Sequence, residues 1–258
     1  MNVFVFDIET IPDVDAGRRV YGLEGLSDKD TVTAMETIRR QESGSEFQRL
    51  PLQRIVAISA VFRSGSKFNV WSLGDEQSSE KELIERFFNG IEKNTPTIVS
   101  WNGGGFDLPV LHYRAMLHGV TAARYWEQGE SDNSFKYNNY LSRYHSRHTD
   151  LMDLLALYQG RAVAPLDVVA SLLGLPGKMG MAGSKVYEAW LAGDLRGIRN
   201  YCETDVLNTY LVFLRFELMR GNLTREAHDA ECLLVRNHLK ASGQAHLVEF
   251  EKHWAGLA

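Results

Sequence analysis

Cysteine is nearly absent from this chain: Cys202 and Cys232 are the only two among 258 residues. Two thiols give no disulfide framework and fit a reducing cytoplasm. Long apolar runs are also missing. None approaches the roughly 18 residues a membrane span needs, so none is expected. The N-terminus lacks a basic stretch followed by a long apolar core, so no signal peptide is expected. An excess of basic residues is missing too. Lys and Arg number 28 against 33 Asp and Glu, for a net charge of −5. That balance argues against a broad basic nucleic-acid surface and for little duplex binding, while leaving room for a narrow single-strand channel. There are no repeats, low-complexity tracts or true linker.

Apolar residues make up 44% and charged residues 24%, the mix of an ordinary globular protein. At this length a chain suits one domain, with or without an appendage, and buries about 70–75% of its unfolded surface.

Phe4 to Thr10 reads Phe-Val-Phe-Asp-Ile-Glu-Thr. The apolar run predicts a buried strand over 2–7. Strand side chains alternate faces, so Asp7 and Glu9 point one way and Ile8 the other. Like charges side by side at a buried strand's end are costly unless a cation sits between them. A divalent ion with oxygen ligands, as Mg²⁺ prefers, is the simplest remedy. Solvent beyond the strand's end is the plain alternative.

Residues 97–101 predict a second buried strand. It runs into Asn102-Gly103-Gly104-Gly105-Phe106-Asp107 and then a helix over 107–118. The glycines lack both Gly-x-Gly-x-x-Gly spacing and a P-loop lysine, so they predict a tight strand-to-helix turn. Asp107 taken alone reads as a helix N-cap. Tyr201 and Asp205 lie four apart in a long helical pattern and share a face; Glu203 falls elsewhere.

Together the three strings resemble the three motifs of the DEDD 3′→5′ exonucleases, in the tyrosine subgroup. The nearest likeness is to the proofreading exonuclease domain of family-B DNA polymerases, in its stand-alone form. The likeness spans about residues 2–218. It implies an α/β, ribonuclease-H-like mixed five-stranded sheet flanked by helices. It also implies that Asp7, Glu9, Asp107 and Asp205 hold two divalent cations, Mg²⁺ or Mn²⁺, with Tyr201 as a fifth catalytic residue. The 3′→5′ direction and the nucleoside 5′-monophosphate product come from the resemblance as well. A catalytically silent nucleic-acid-binding module, an RNA-directed exonuclease and an endonuclease remain the alternatives. No polymerase-like region is evident, so proofreading would act in trans with a polymerase or repair partner.

The remaining elements fit this frame. A polar stretch over about 12–53 reads as an insertion, with a capping signal at Ser27-Asp28-Lys29-Asp30 and Val32, Met35 and Ile38 at helical spacing. Strands at 54–62 and 67–73 read as a hairpin. Helices fit 80–93, 165–173, 184–192 and 195–219, with a short strand at 147–150 and another helix from Leu151. The exonuclease domain is then 1–221. Two further helices, about 224–241 and 244–256, form a C-terminal extension, with Leu247, Phe250 and Trp254 as an apolar stripe packed onto the same domain.

Thr10, Asn102 and Phe106 are candidate substrate contacts. Asn133 to Thr149 holds no acidic residue, and its aromatics interleave with cations. That pattern suits a single-strand groove, with Tyr137 and Tyr140 as stacking candidates; a loop packed by its own tyrosines is the other reading. Lys178 and Lys185, in the glycine-rich stretch 174–185, are further candidates. Asp150 reads chiefly as the cap of the following helix, and Cys202 as no nucleophile, because no base stands beside it.

Overall fold

In the computed structural model, which describes residues 1–257, five strands form one mixed sheet of order β3-β2-β1-β4-β5. These are β1 (Asn2–Pro12), β2 (Gln53–Ser64), β3 (Lys67–Ser72), β4 (Thr97–Ser100) and β5 (His148–Asp150). The pairs β1–β2 and β2–β3 are antiparallel, while β1–β4 and β4–β5 are parallel. The sheet is a ribonuclease-H-like mixed sheet with helices on both faces, as the sequence implied.

Strand β1 is central, and its alternation divides the core. Phe4, Phe6 and Ile8 pack on one face with α3 (Glu80–Asn94) and α4 (Asp107–His118). Val3 and Val5 pack on the other with α9 (Leu195–Met219), which supplies Val206, Leu207 and Tyr210. The C-terminal helices α10 (Arg225–Ala241) and α11 (Ala245–Gly256) join that second core through Val235, Leu239, Leu247, Phe250 and Trp254.

Strand β1 does not stop at residue 7. Its antiparallel ladder with β2 continues to Pro12 opposite Gln53, with a register shift between Glu9 and Thr10. Backbone pairing outlasts the apolar run, so Asp7 and Glu9 sit within the strand rather than past its end. The parallel pairing to β4 ends much earlier, at Val5 opposite Val99. Beyond that point the β4-side edge of β1 borders a cleft. A cleft beside the C-terminal ends of neighbouring parallel strands is where open α/β sheets place their ligands.

The stretch after β1 contains two helices, α1 (Val14–Tyr21) and α2 (Asp28–Ser43). Ser27 caps α2 by accepting from the Asp30 N–H, and Val32 and Met35 are buried beneath it. A buried ion network ties this region to the sheet. Arg114 of α4 reaches both Asp13, at the end of β1, and Glu80 of α3, whose carboxylate also accepts the Ile55 N–H at 2.7 Å.

Candidate active site

Four carboxylates converge in the cleft. Asp7 and Glu9 share the α9-facing side of β1. Helix α9 crosses that face and presents Tyr201, Cys202 and Asp205 to it. Asp107, the first residue of α4, arrives from the β4 side, and its Oδ1 accepts the Ile8 N–H at 3.1 Å. That N–H lies on the edge of β1 that β4 has left, so the carboxylate completes the strand's hydrogen bonding and is itself fixed. Asp107 begins the helix as expected but does not cap it.

The turn that carries Asp107 is held from below. Asp150 accepts the N–H groups of Asn102 (2.9 Å) and Gly104 (2.8 Å) and caps the helix over Leu151–Leu155. Asn102 adopts a left-handed φ of 64°, and its carbonyl receives the N–H groups of Gly105 and Phe106. A Cβ at Gly103 would stand 2.3 Å from Ser100 Oγ, and one at Gly105 would stand 2.4 Å from Asn102 Oδ1. The glycines therefore serve a tight turn, as their spacing indicated, and not a phosphate loop.

The electrostatics are those of a site built for cations. Burial, then the carboxylates of Asp107, Glu9 and Asp205, hold the Asp7 carboxyl well above the usual range. Burial, then Asp205 and Asp107, do the same to Glu9. Burial pushes Asp107 up to about 7 and Asp205 up to about 6, against the opposing pull of their hydrogen bonds. Among the described residues no arginine or lysine pairs directly with any of the four; Lys178 acts on Glu9 and Asp205 only through its field. Hard oxygen donors crowded together without a counter-charge fit Mg²⁺ or Mn²⁺.

Two neighbours refine the picture. Tyr201, one turn before Asp205, donates its hydroxyl toward that carboxylate; burial, then Asp205 and Glu9, keep the phenol protonated far above neutral pH. Cys202 lies beneath Asp7, with Sγ 3.4 Å from its carbonyl oxygen and 3.5 Å from its Oδ2. Asp7, Glu9 and Cys202 can each bring one ligand atom within 4.8 Å of the others. Burial first, and then Asp7, hold the thiol proton in place, so Cys202 serves Asp7 as a hydrogen-bond donor. Nothing near Cys202 in the sequence signals this contact; there the residue reads only as no nucleophile.

The candidate substrate contacts divide. Thr10 is tied to Gln53 at 2.9 Å, at the edge of the cleft. Phe106 is half-buried and packs its ring 5.6 Å from exposed Phe47. Lys178 borders Asp205 and Tyr201 in two shallow recesses. Tyr137 is exposed. One expectation is overturned. Tyr140 is buried, stacked on Tyr125 with its hydroxyl donating to the Pro96 carbonyl at 2.6 Å, so it offers no face to a base. Lys185 is exposed and pairs with Glu188 at 2.8 Å. Phe135 is buried too, beneath the guanidinium groups of Arg124 and Arg147, so half of the 133–149 aromatics hold the loop together.

The mixed sheet and its buried carboxylate cleft mark a ribonuclease-H-like domain. The match to the family described as a predicted 3′-5′ exonuclease related to the exonuclease domain of PolB runs over residues 45–254, and the chain belongs to that family. The matched span carries Asp107, Tyr201 and Asp205, while Asp7 and Glu9 precede it. The chain is also similar to the DNA polymerase of Pyrococcus horikoshii, 25% identical over 234 residues that cover 87% of this chain and 18% of that one. Similarity to the DNA polymerase of Pyrococcus glycovorans is 26% over 234 residues, covering 87% and 30%. For the DNA polymerase of Thermococcus gorgonarius it is 26% over 191 residues, covering 70% and 24%. The chain thus spans less than a third of the length of these relatives. No helix among the described residues is long and apolar enough to cross a membrane.

Proposed function

We propose that the protein is a divalent-metal-dependent 3′→5′ exonuclease that trims single-stranded nucleic acid, DNA in preference, to nucleoside 5′-monophosphates. The observation that supports it is the meeting of four unpaired carboxylates from β1, α4 and α9 beside a protonated tyrosine. Family membership supports the direction, and the names of the relatives favour DNA.

In this reading Asp7, Glu9, Asp107 and Asp205 hold two Mg²⁺ or Mn²⁺ ions. Such ions, when bound, make water a nucleophile at neutral pH and stabilise charge on the leaving 3′ oxygen. The chain's own residues do the rest. Asp107, fixed by Ile8, and Asp7, fixed by Cys202, arrive with little freedom left to lose on binding. The Tyr201 hydroxyl orients the attacking water or the phosphate by donating a hydrogen bond. Glu9 has a spare oxygen for the terminal 3′-hydroxyl. Lys178 offers a positive charge to the phosphate, and Thr10, Asn102 and Phe106 line the approach. A polymerase or repair partner in trans would supply the 3′ ends.

The test is digestion of 3′- and 5′-labelled DNA and RNA oligomers with Mg²⁺, with Mn²⁺ and with chelator. Stepwise mononucleotide release from the 3′ end, abolished by chelator, is expected. Cleavage of circular or 3′-blocked strands would make the protein an endonuclease. Binding without any turnover would make it a silent module.

A further inference from the structure

A cavity of about 730 Å³ lies outside the four acids. It opens beside them, on the other side of the turn that carries Asp107, where Gly104 and Asp150 form part of its wall. That volume lies in the range of small-molecule pockets. Its walls are aromatic. Trp126, half exposed, and Tyr144, largely exposed, both line it. The Arg143 guanidinium lies 5.0 Å from the Tyr144 ring centre, donating to that hydroxyl at 2.9 Å, and 5.1 Å from the Tyr158 ring centre. Tyr158 and the preceding Leu157 both hold left-handed φ angles, 58° and 51°, which non-glycine residues seldom adopt. This turn sets the Tyr158 ring against Arg143, with its hydroxyl donating to the Arg143 carbonyl at 2.7 Å.

Polar side chains, among them Arg143, His145, Ser146, Asp153 and Arg220, share the lining. Asp153, part-exposed, offers an acceptor. Flat aromatic walls with a cation at the rim match a nucleobase attached to a phosphate backbone, since every base has a face to stack. The Asp153 carboxylate matches a donor on the hydrogen-bonding edge of a base. An apolar peptide would leave that carboxylate unsatisfied and would gain nothing from Arg143.

We infer that this cavity takes an unpaired nucleobase of the substrate strand, held against Trp126, Tyr144, Arg143 and Tyr158 while the strand's 3′ end lies at the acids. The inference rests on the exonuclease reading above. It moves the base contact away from Tyr140, which is buried, onto a pocket that the loop builds with α4 and with the turn after β5.

The test uses photo-crosslinking, so it needs no turnover. Short oligothymidylates carrying 5-iodouracil at one of several positions from the 3′ end are irradiated with full-length Asp7→Ala protein. Wild-type protein is assayed separately for nuclease activity. Crosslinks from one probe position to Trp126, Tyr144 or Tyr158 are expected. A map without these residues at every probe position overturns the inference, even if the wild type is an active nuclease. An inert wild type with crosslinks in the cavity overturns the exonuclease reading and keeps the base pocket. Free nucleoside 5′-monophosphate is expected to leave the crosslink in place at concentrations where unlabelled oligomer removes it; the reverse order would make this a product pocket. In active protein, Trp126→Ala with Tyr144→Ala should raise KM for single strands by ~5-fold or more per lost ring with kcat little changed. An unchanged KM overturns the inference.

Discussion

Asp107 and Ile8, 99 residues apart, are joined by a hydrogen bond from the Ile8 N–H to the Asp107 carboxylate, at the point where β1 has lost its parallel neighbour. One side chain thereby satisfies a strand edge and delivers a negative charge to the cleft. The two roles can be separated. Asp107→Asn keeps an acceptor for the N–H and removes the charge. Asp107→Ala removes both and strands a buried donor, at a cost of about 1–3 kcal/mol. We expect both variants to lose at least ~10³-fold in Mg²⁺-dependent rate. Only the Ala variant should unfold at lower urea. Equal urea midpoints would sink the edge-satisfying role, and an active Asn variant the metal role.

The four acids predict an unusual pH dependence. The folded carboxyls of Asp107 and Asp205 titrate near 7 and 6, and those of Asp7 and Glu9 are also raised. Unfolded carboxyls titrate near ~4. Between these values the folded state binds more protons than the unfolded state. The stabilising contribution is therefore complete below ~4 and is lost as pH rises through 6 to 7. Metal binding needs the ionised forms and opposes that loss. In chelator, the stability of Asp7→Asn/Asp205→Asn relative to wild type should grow between pH 5 and pH 8. Added Mn²⁺ should raise the wild-type Tm more at pH 8 than at pH 5. Parallel Tm curves for the two proteins across this range in chelator would contradict the cluster's electrostatics.

Asp150 is not one of the four acids, yet it holds two N–H groups of the turn before Asp107. Asp150→Ala should cost about 1–3 kcal/mol through those unsatisfied donors and the lost helix cap. It should also weaken Mn²⁺ binding about 10–100-fold, the usual penalty for losing a partner that orients a ligand. Asp150→Asn, which retains an acceptor, should recover part of both. Calorimetry that finds wild-type Mn²⁺ affinity in the Ala variant would show that the turn positions itself.

Much of this site was legible because its motifs report local geometry. Period-two alternation put Asp7 and Glu9 on one face of β1, and four-residue spacing put Tyr201 and Asp205 on one face of α9. The helix over 195–219 stood out for its length and continuous apolar pattern. What escaped notice depends on partners distant in sequence. Cys202 looked idle because nothing near it in the chain says that Asp7 lies above it, 195 residues away. Strand β1 looked too short because its last residues are held by the β2 ladder and not by apolar side chains. Tyr140 was misread because a ring that stacks on a base and a ring that fills a core carry the same local signal. Only the buried Pro96 carbonyl and the Tyr125 ring decide between them.

Tyr201 offers the sharpest test of mechanism. Burial and two nearby carboxylates keep its hydroxyl protonated far above neutral pH, so it can donate a hydrogen bond but cannot take a proton. In the proposed mechanism its role is then to position the attacking water or the phosphate, with metal held by the four acids alone. Tyr201→Phe should therefore reduce turnover by roughly 10–10³-fold, the range for one lost orienting hydrogen bond. Mn²⁺ calorimetry should be nearly unchanged, because no ligand is removed. The shape of the pH–rate profile should also persist, since the groups that set it are still present. Loss of Mn²⁺ binding in the Phe variant would make Tyr201 structural to the acid cluster. A rate that stops rising with pH only in the wild type, and not in the variant, would make the phenol a titrating base and overturn the donor role.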